Sequence, residues 1–83
     1  MKVIVNISLK EGVLDPEGQA IQDSLLNLDF KNLKNVRTGK QIVLDFTENF
    51  SKSEAIQEAE KMCKKLLVNT VIEKYKIEVL EDN

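Results

Sequence analysis

Residues 2 to 10 alternate in character, with Val3, Val5, Ile7 and Leu9 on one side and Lys2, Asn6, Ser8 and Lys10 mostly on the other. A period of two marks a half-buried strand, so the chain opens on one. Gly12 permits a sharp change of direction. Asp15-Pro16 then reads as a helix start, because the carboxylate can accept from free backbone N–H groups and proline sits where no N–H is needed. The helix is expected to run to about Leu28. Its apolar stripe is Ile21, Leu25 and Leu28, spaced i, i+4, i+7, with Ala20 beside it and Gln19, Gln22 and Asp23 toward solvent.

A polar connection containing Asn32 and Asn35 leads into residues 36 to 46, where Ile42, Leu44 and Phe46 alternate cleanly. Residues 33 to 47 hold either one long bent strand or a two-strand hairpin, with Gly39 as the natural break. Ser51 followed by Glu54 forms a capping box that opens a second helix. Ala55, Ala59, Met62 and Leu66 make its expected buried stripe, widened by Ile56, Cys63 and Leu67, while Glu60 and Lys64 are spaced for an exposed i, i+4 ion pair. Asn69 suits the left-handed position just past a helix end. Residues 71 to 80 alternate again through Tyr75, Ile77 and Val79, and residues 81 to 83 read as a solvated tail. The order is strand, helix, strand or hairpin, helix, strand. Two helices on one face of a small, largely antiparallel sheet would bury both stripes, which predicts an α+β fold related to the ferredoxin-like pattern.

Length adds a constraint to this picture. At 83 residues the chain is read as a single domain over 1–83, since each half would be too small to bury a core. A core of this size is marginal, and association with copies or partners is the common remedy. With 12 basic against 14 acidic side chains the formal net charge is −2, which gives no long-range attraction to phosphate backbones or anionic lipid. No nucleic acid and no membrane partner is expected. The apolar run at the start is too short for a signal sequence, and no stretch approaches the ~20 apolar residues of a bilayer span, so the expected compartment is the cytoplasm.

The side-chain inventory narrows the chemistry further. The chain has no histidine, no tryptophan and one cysteine, which removes the usual general base, zinc ligands and activated nucleophile. Asp45 and Glu48 are the remaining carboxylate candidates, but nothing in their surroundings marks them, and no catalytic residue, cofactor site or metal site is expected. Cys63 flanks the apolar stripe of the second helix and reads as a small buried hydrophobe. Gly12 and Gly18 bracket Asp15-Pro16 without the spacing of a phosphate loop, and Asp15 would repel a phosphate there, so a turn and a cap account for both. Lys34, Arg37 and Lys40 form the one local concentration of positive charge without nearby acids in the sequence. Residues Arg37, Thr38, Gly39 and Lys40 are therefore the candidate contact surface, with Arg37 able to meet a carboxylate or phosphate with its planar fork. No aromatic residue interleaves them, which argues against single-stranded nucleic acid.

Three segments together resemble the PurS family, the small subunit of formylglycinamide ribonucleotide amidotransferase. They are Leu9-Lys10-Glu11-Gly12-Val13-Leu14-Asp15-Pro16-Glu17-Gly18, then Val36-Arg37-Thr38-Gly39-Lys40, then Met62-Cys63-Lys64-Lys65-Leu66-Leu67-Val68-Asn69-Thr70-Val71-Ile72-Glu73-Lys74-Tyr75. The family commonly has proline where Thr70 stands, and Asn69 can stop the helix without it. The resemblance implies a non-catalytic subunit of a glutamine- and ATP-dependent C–N ligase of purine biosynthesis. It implies as partners a glutaminase subunit, a large synthetase subunit and further copies of the chain in a dimer or tetramer. ATP and magnesium would be used by the complex, and none would be bound by this chain. The competing reading is a free-standing ferredoxin-like regulatory or ligand-binding module, which fold by itself does not exclude.

Overall fold

The computed structural model describes residues 1–47 and 49–80. In chain order the elements are β1 (Lys2–Leu9), α1 (Pro16–Asn27), β2 (Gly39–Asp45), α2 (Lys52–Met62), a π-turn (Cys63–Leu67) and β3 (Glu73–Leu80). The three strands form one antiparallel sheet in the order β2-β1-β3. The first strand is thus the central one. Its alternation places Val3, Val5 and Ile7 on one face, where Leu44 and Ile42 of β2 and Val79, Ile77 and Tyr75 of β3 sit opposite them in register. The α+β expectation holds, and the hydrophobic period of each strand chose the face that is covered.

The helix α2 covers that face. Its capping box forms as expected: Ser51 Oγ accepts from the Glu54 N–H at 3.1 Å and Glu54 Oε1 accepts from the Ser51 N–H at 3.0 Å. Ala55 and Ala59 are fully buried against Val3, and their small side chains let the helix lie close to the sheet. Phe46 and Phe50 close one end of this layer edge to face, with centroids 5.3 Å apart. At the other end Cys63 and Val68 join Val5 and Ile7 in the core. Tyr75 ties the layers together, its hydroxyl donating to Glu60 Oε2 at 2.6 Å.

Several expectations are corrected. The second helix does not continue as an α-helix to Asn69. At Cys63 it widens into the π-turn, with the Val68 N–H donating to the Cys63 carbonyl at 3.0 Å. The inserted position rotates the end of the helix, so Leu67 and Val68 turn inward and Leu66, assigned to the buried stripe, is 84% exposed. Glu60 does not pair with Lys64; it is half-buried and serves Tyr75 instead. Residues 36 to 46 make neither a bent strand nor a hairpin. A single strand starts at Gly39, because residues 36–38 are bound to the loop before α1 rather than to a neighbouring strand. The last strand begins at Glu73 rather than at residue 71, and residues 69 to 72 form a turn. Residues 81 to 83 lie outside the described residues.

The largest departure is α1. Its boundaries match the expectation, starting on the Asp15 cap and ending at Leu28, where the Asp29 N–H donates to Leu26 O and the Phe30 N–H to Leu25 O, with Asp29 at φ 71°. This is a Schellman closure with aspartate in the left-handed position. The stripe, however, is not buried on the sheet. Gly18 is the buried residue of α1, while Leu28 is 67% exposed and Ile21 and Leu26 keep more than a third of their surface in solvent. The shape agrees: a compact chain of this length has a radius of gyration of about 12 Å, and this one has 16.3 Å with extents of 49 × 32 × 15 Å.

Candidate functional site: the Asp15 junction

The sequence singled out residues 37–40, and two of them, Arg37 and Thr38, meet around Asp15, a residue read only as a helix cap. Asp15 opens α1, its Oδ1 accepting from the Gly18 N–H at 2.9 Å. The same carboxylate reaches across to the strand side. Oδ2 accepts from the Thr38 N–H at 2.6 Å, and the Thr38 hydroxyl donates to it at 3.0 Å. Three donor groups on one nearly buried carboxylate favour its charged form, and the Asp15 pKa lies below the ordinary carboxylate value. The largest cause is the Thr38 backbone N–H, followed by that of Gly18; partial burial opposes them and the Arg37 charge assists.

Arg37 completes the junction from the other side. Its Nη1 donates to the Val13 carbonyl at 2.7 Å and its Nη2 to the Lys10 carbonyl at 3.1 Å. The guanidinium fork therefore holds the β1–α1 loop rather than projecting freely to a carboxylate elsewhere. Lys40 lies 4.0 Å from Glu73 across the sheet, a long contact between an exposed lysine and a half-buried glutamate. The basic cluster thus has acidic company after folding that the sequence does not show locally.

Two glycines make the close packing possible. A Cβ on Gly39 would stand 2.6 Å from the Ile7 carbonyl oxygen, so β2 begins where its backbone can approach β1 closely; the backbone at Gly39 is not left-handed. Gly18 is the more constrained of the two. It lies within α1, not in a turn, and a Cβ there would collide with the Val36 carbonyl oxygen and sit 2.8 Å from Asp15 Oδ2. The Val36 carbonyl thus passes directly over the first turn of α1 at Gly18, while Gly39 brings the chain that follows against β1.

What this arrangement does chemically is limited. A shallow hollow of about 490 Å³ beside the junction is lined by Ser8, Leu9, Gly12, Asn35, Arg37 and Lys74, with the Arg37 donors already engaged on carbonyls. Among the described residues no group of three or more His, Cys, Asp or Glu side chains is placed to hold a metal ion. Asp45 is exposed at the end of β2 opposite Lys2, and Glu48 lies outside the described residues. Cys63 is fully buried, and burial, with the Glu60 charge second, pushes its thiol up from the ordinary value. The thiol remains protonated at neutral pH and acts as packing. No helix among the described residues is long and apolar enough to cross a membrane.

The sequence reading missed Asp15 as the centre of the junction, and also missed the turn after the π-turn. In that turn Asn69 Oδ1 accepts from the Val71 N–H at 3.1 Å, and Asn69 O accepts from the Glu73 N–H at 2.7 Å. Asn69, a residue that bonds its own backbone two positions on, was the available signal.

Comparison with known proteins places these features. The profile of the family described as PurS, phosphoribosylformylglycinamidine (FGAM) synthase, matches residues 2–81. The phosphoribosylformylglycinamidine synthase subunit PurS of Archaeoglobus fulgidus is 51% identical over 73 residues, covering 88% of this chain and 90% of that protein. Its counterpart from Methanocaldococcus jannaschii is 47% identical over 78 residues, covering 94% and 93%. The crystal structure of the M. jannaschii PurS superimposes with a TM-score of 0.86 at 46% identity, covering 99% of this chain and 98% of that one. A chain in the structure of PurLQS from Thermotoga maritima superimposes with a TM-score of 0.84 at 33% identity, covering 95% of each. Matched along nearly its whole length in sequence and in fold, the chain belongs to the PurS family of phosphoribosylformylglycinamidine synthase subunits.

Proposed function

We propose that this chain docks a glutaminase subunit to an ATP- and magnesium-using synthetase subunit, so that ammonia released at one site is consumed at the other. The observation that carries this reading is the likeness to a chain of the T. maritima PurLQS structure over 95% of both. Chemistry supplies the need. Ammonia escaping into neutral water becomes ammonium, which has no lone pair for attack, so the two sites must be held close enough to pass it while neutral. A chain without histidine, with its one thiol buried, suits a docking role better than a catalytic one.

The same reading includes self-association. A 12-residue helix standing alone is marginal in water, yet α1 is fixed to its own chain mainly through Asp15 and Gly18. A second copy covering Ile21, Leu26 and Leu28 would complete it. Residues 37–40 enter as the segment that sets where α1 stands, and the Arg37 N–H groups not engaged on carbonyls face solvent, where a partner carboxylate can meet them.

The test is to rebuild the three-subunit complex and measure amidine formation with glutamine and with added ammonia. Omitting this chain is expected to abolish the glutamine-dependent rate while leaving more of the ammonia-dependent rate. Equal loss of both, or of neither, overturns the docking role.

A further inference from the structure

The end of α2 carries a second surface that the Asp15 junction does not use. The π-turn places Leu66 at 84% exposure, and in the turn before β3 Val71 is 79% exposed. Neither residue is loosely held. Leu66 lies inside the π-turn closed by the Val68 N–H on Cys63 O, and the backbone around Val71 is pinned by the Asn69 N–H donating to Glu73 Oε1 at 2.8 Å, by the Val71 N–H on Asn69 Oδ1, by the Lys10 N–H on Ile72 O at 2.9 Å and by Lys10 Nζ on Thr70 O at 2.6 Å. Two apolar side chains are thus shown to solvent on a fixed frame, where a continued α-helix would have turned Leu66 inward.

The charge around Leu66 is mostly positive. Lys61, Lys64 and Lys65 are all exposed, and no acid follows Glu60 in the chain until Glu73. Glu58 meets Lys61 at 3.5 Å, Glu60 is occupied by Tyr75, and Lys64 and Lys65 have no hydrogen-bond or ion-pair partner among the described residues. A hollow of about 380 Å³ next to Leu66, lined also by Met62 and Leu67 with Glu58, Lys61 and Lys65 at its rim, is mostly apolar in its walls. We infer that this surface, Leu66 and its hollow flanked by the unpaired Lys64 and Lys65, is a docking site for a partner subunit presenting an apolar patch rimmed by carboxylates. Charge complementarity selects that occupant: with Lys61 matched by Glu58, the two unpaired cations Lys64 and Lys65 beside an apolar centre reject a basic surface and steer an acidic one. The fixed frame adds to affinity because little order has to be imposed on binding.

This inference rests on the docking role proposed above, and the experiment separates the two. Binding of the full-length chain to the purified synthetase and glutaminase subunits is measured by calorimetry at low and high salt. The parent is compared with Leu66→Ser and with the double variant K64E/K65E, alongside thermal unfolding and light scattering of each chain. The expected result is that one subunit binds the parent, that Leu66→Ser weakens this tenfold or more, and that the charge reversal weakens it comparably and flattens its salt dependence. Unfolding temperatures and oligomeric state should stay at the parent values. Parent-like binding by both variants overturns the surface while leaving the docking role standing. Loss of self-association in place of partner binding assigns the surface to a second copy and overturns the inference. No binding of the parent to either subunit overturns the docking role and the inference with it.

Discussion

Asp15 and Gly18 show how much of this fold hangs on two adjacent functional groups. The Asp15 carboxylate is held charged by N–H donors from Thr38 and Gly18, so its folded pKa lies below its unfolded value of about 3.9. Its contribution to stability is therefore complete above the unfolded pKa and is lost as pH falls through the folded one. Replacing Asp15 with Asn is expected to lower the urea midpoint at pH 7. The gap between parent and variant should shrink below about pH 4, where the parent carboxylate begins to take up protons in the unfolded state. Gly18→Ala gives a sign test. In an open helix this substitution stabilises by about 1 kcal/mol. Here the new methyl meets the Val36 carbonyl oxygen, and a loss of about 1–3 kcal/mol by urea unfolding is expected instead.

At the scale of elements, what was legible in the sequence was local. The alternation of Val3, Val5 and Ile7, the Asp15-Pro16 start and the Ser51–Glu54 box each depend on neighbours within four residues, and each formed as read. What was not legible depends on residues far apart. Thr38 leaves the strand because its N–H is taken by a carboxylate 23 positions earlier. Leu66 leaves the core because Cys63 and Val68 fill the space against Val5 and Ile7, which a period of 3.6 does not encode. The candidate segment 37–40 was found from its charge, but the acids Asp15 and Glu73 that share its surroundings come from other elements. Between elements, the Tyr75 hydroxyl on Glu60 offers a measurable link. The Glu60 carboxylate, by accepting this bond, is the first cause that pushes the Tyr75 pKa up to about 12. The favoured form is the neutral phenol, so the bond stabilises below the unfolded pKa of about 10 and is lost as pH rises toward the folded value. Tyr75→Phe is expected to lower stability by about 1 kcal/mol at pH 7. A spectrophotometric titration of the folded parent should show the phenolate forming well above the free-tyrosine range.

At the scale of the whole molecule, the length of 49 Å and the uncovered stripe of α1 predict association. Light scattering of the parent is expected to give a dimer or a larger symmetric assembly. A double substitution of Leu26 and Leu28 to Ser should shift it toward monomer, with α1 losing helicity in far-ultraviolet dichroism as the two events couple. A concentration-independent monomeric parent would sink this. The strand order β2-β1-β3 carries a further consequence, for the time course of folding. The central strand is made before both of its partners, Gly39–Asp45 and Glu73–Leu80, and Lys2 pairs with Leu80. A nascent chain leaving the ribosome carries Val3, Val5 and Ile7 with one edge of β1 unsatisfied until Asp45 has emerged and the other until Leu80 has. Pairings this distant in sequence make folding slow for so short a chain. Throughout that interval the apolar first strand is open to the edges of other unfinished copies, so yield on overexpression should depend on synthesis rate and temperature more steeply than on the stability of the finished fold.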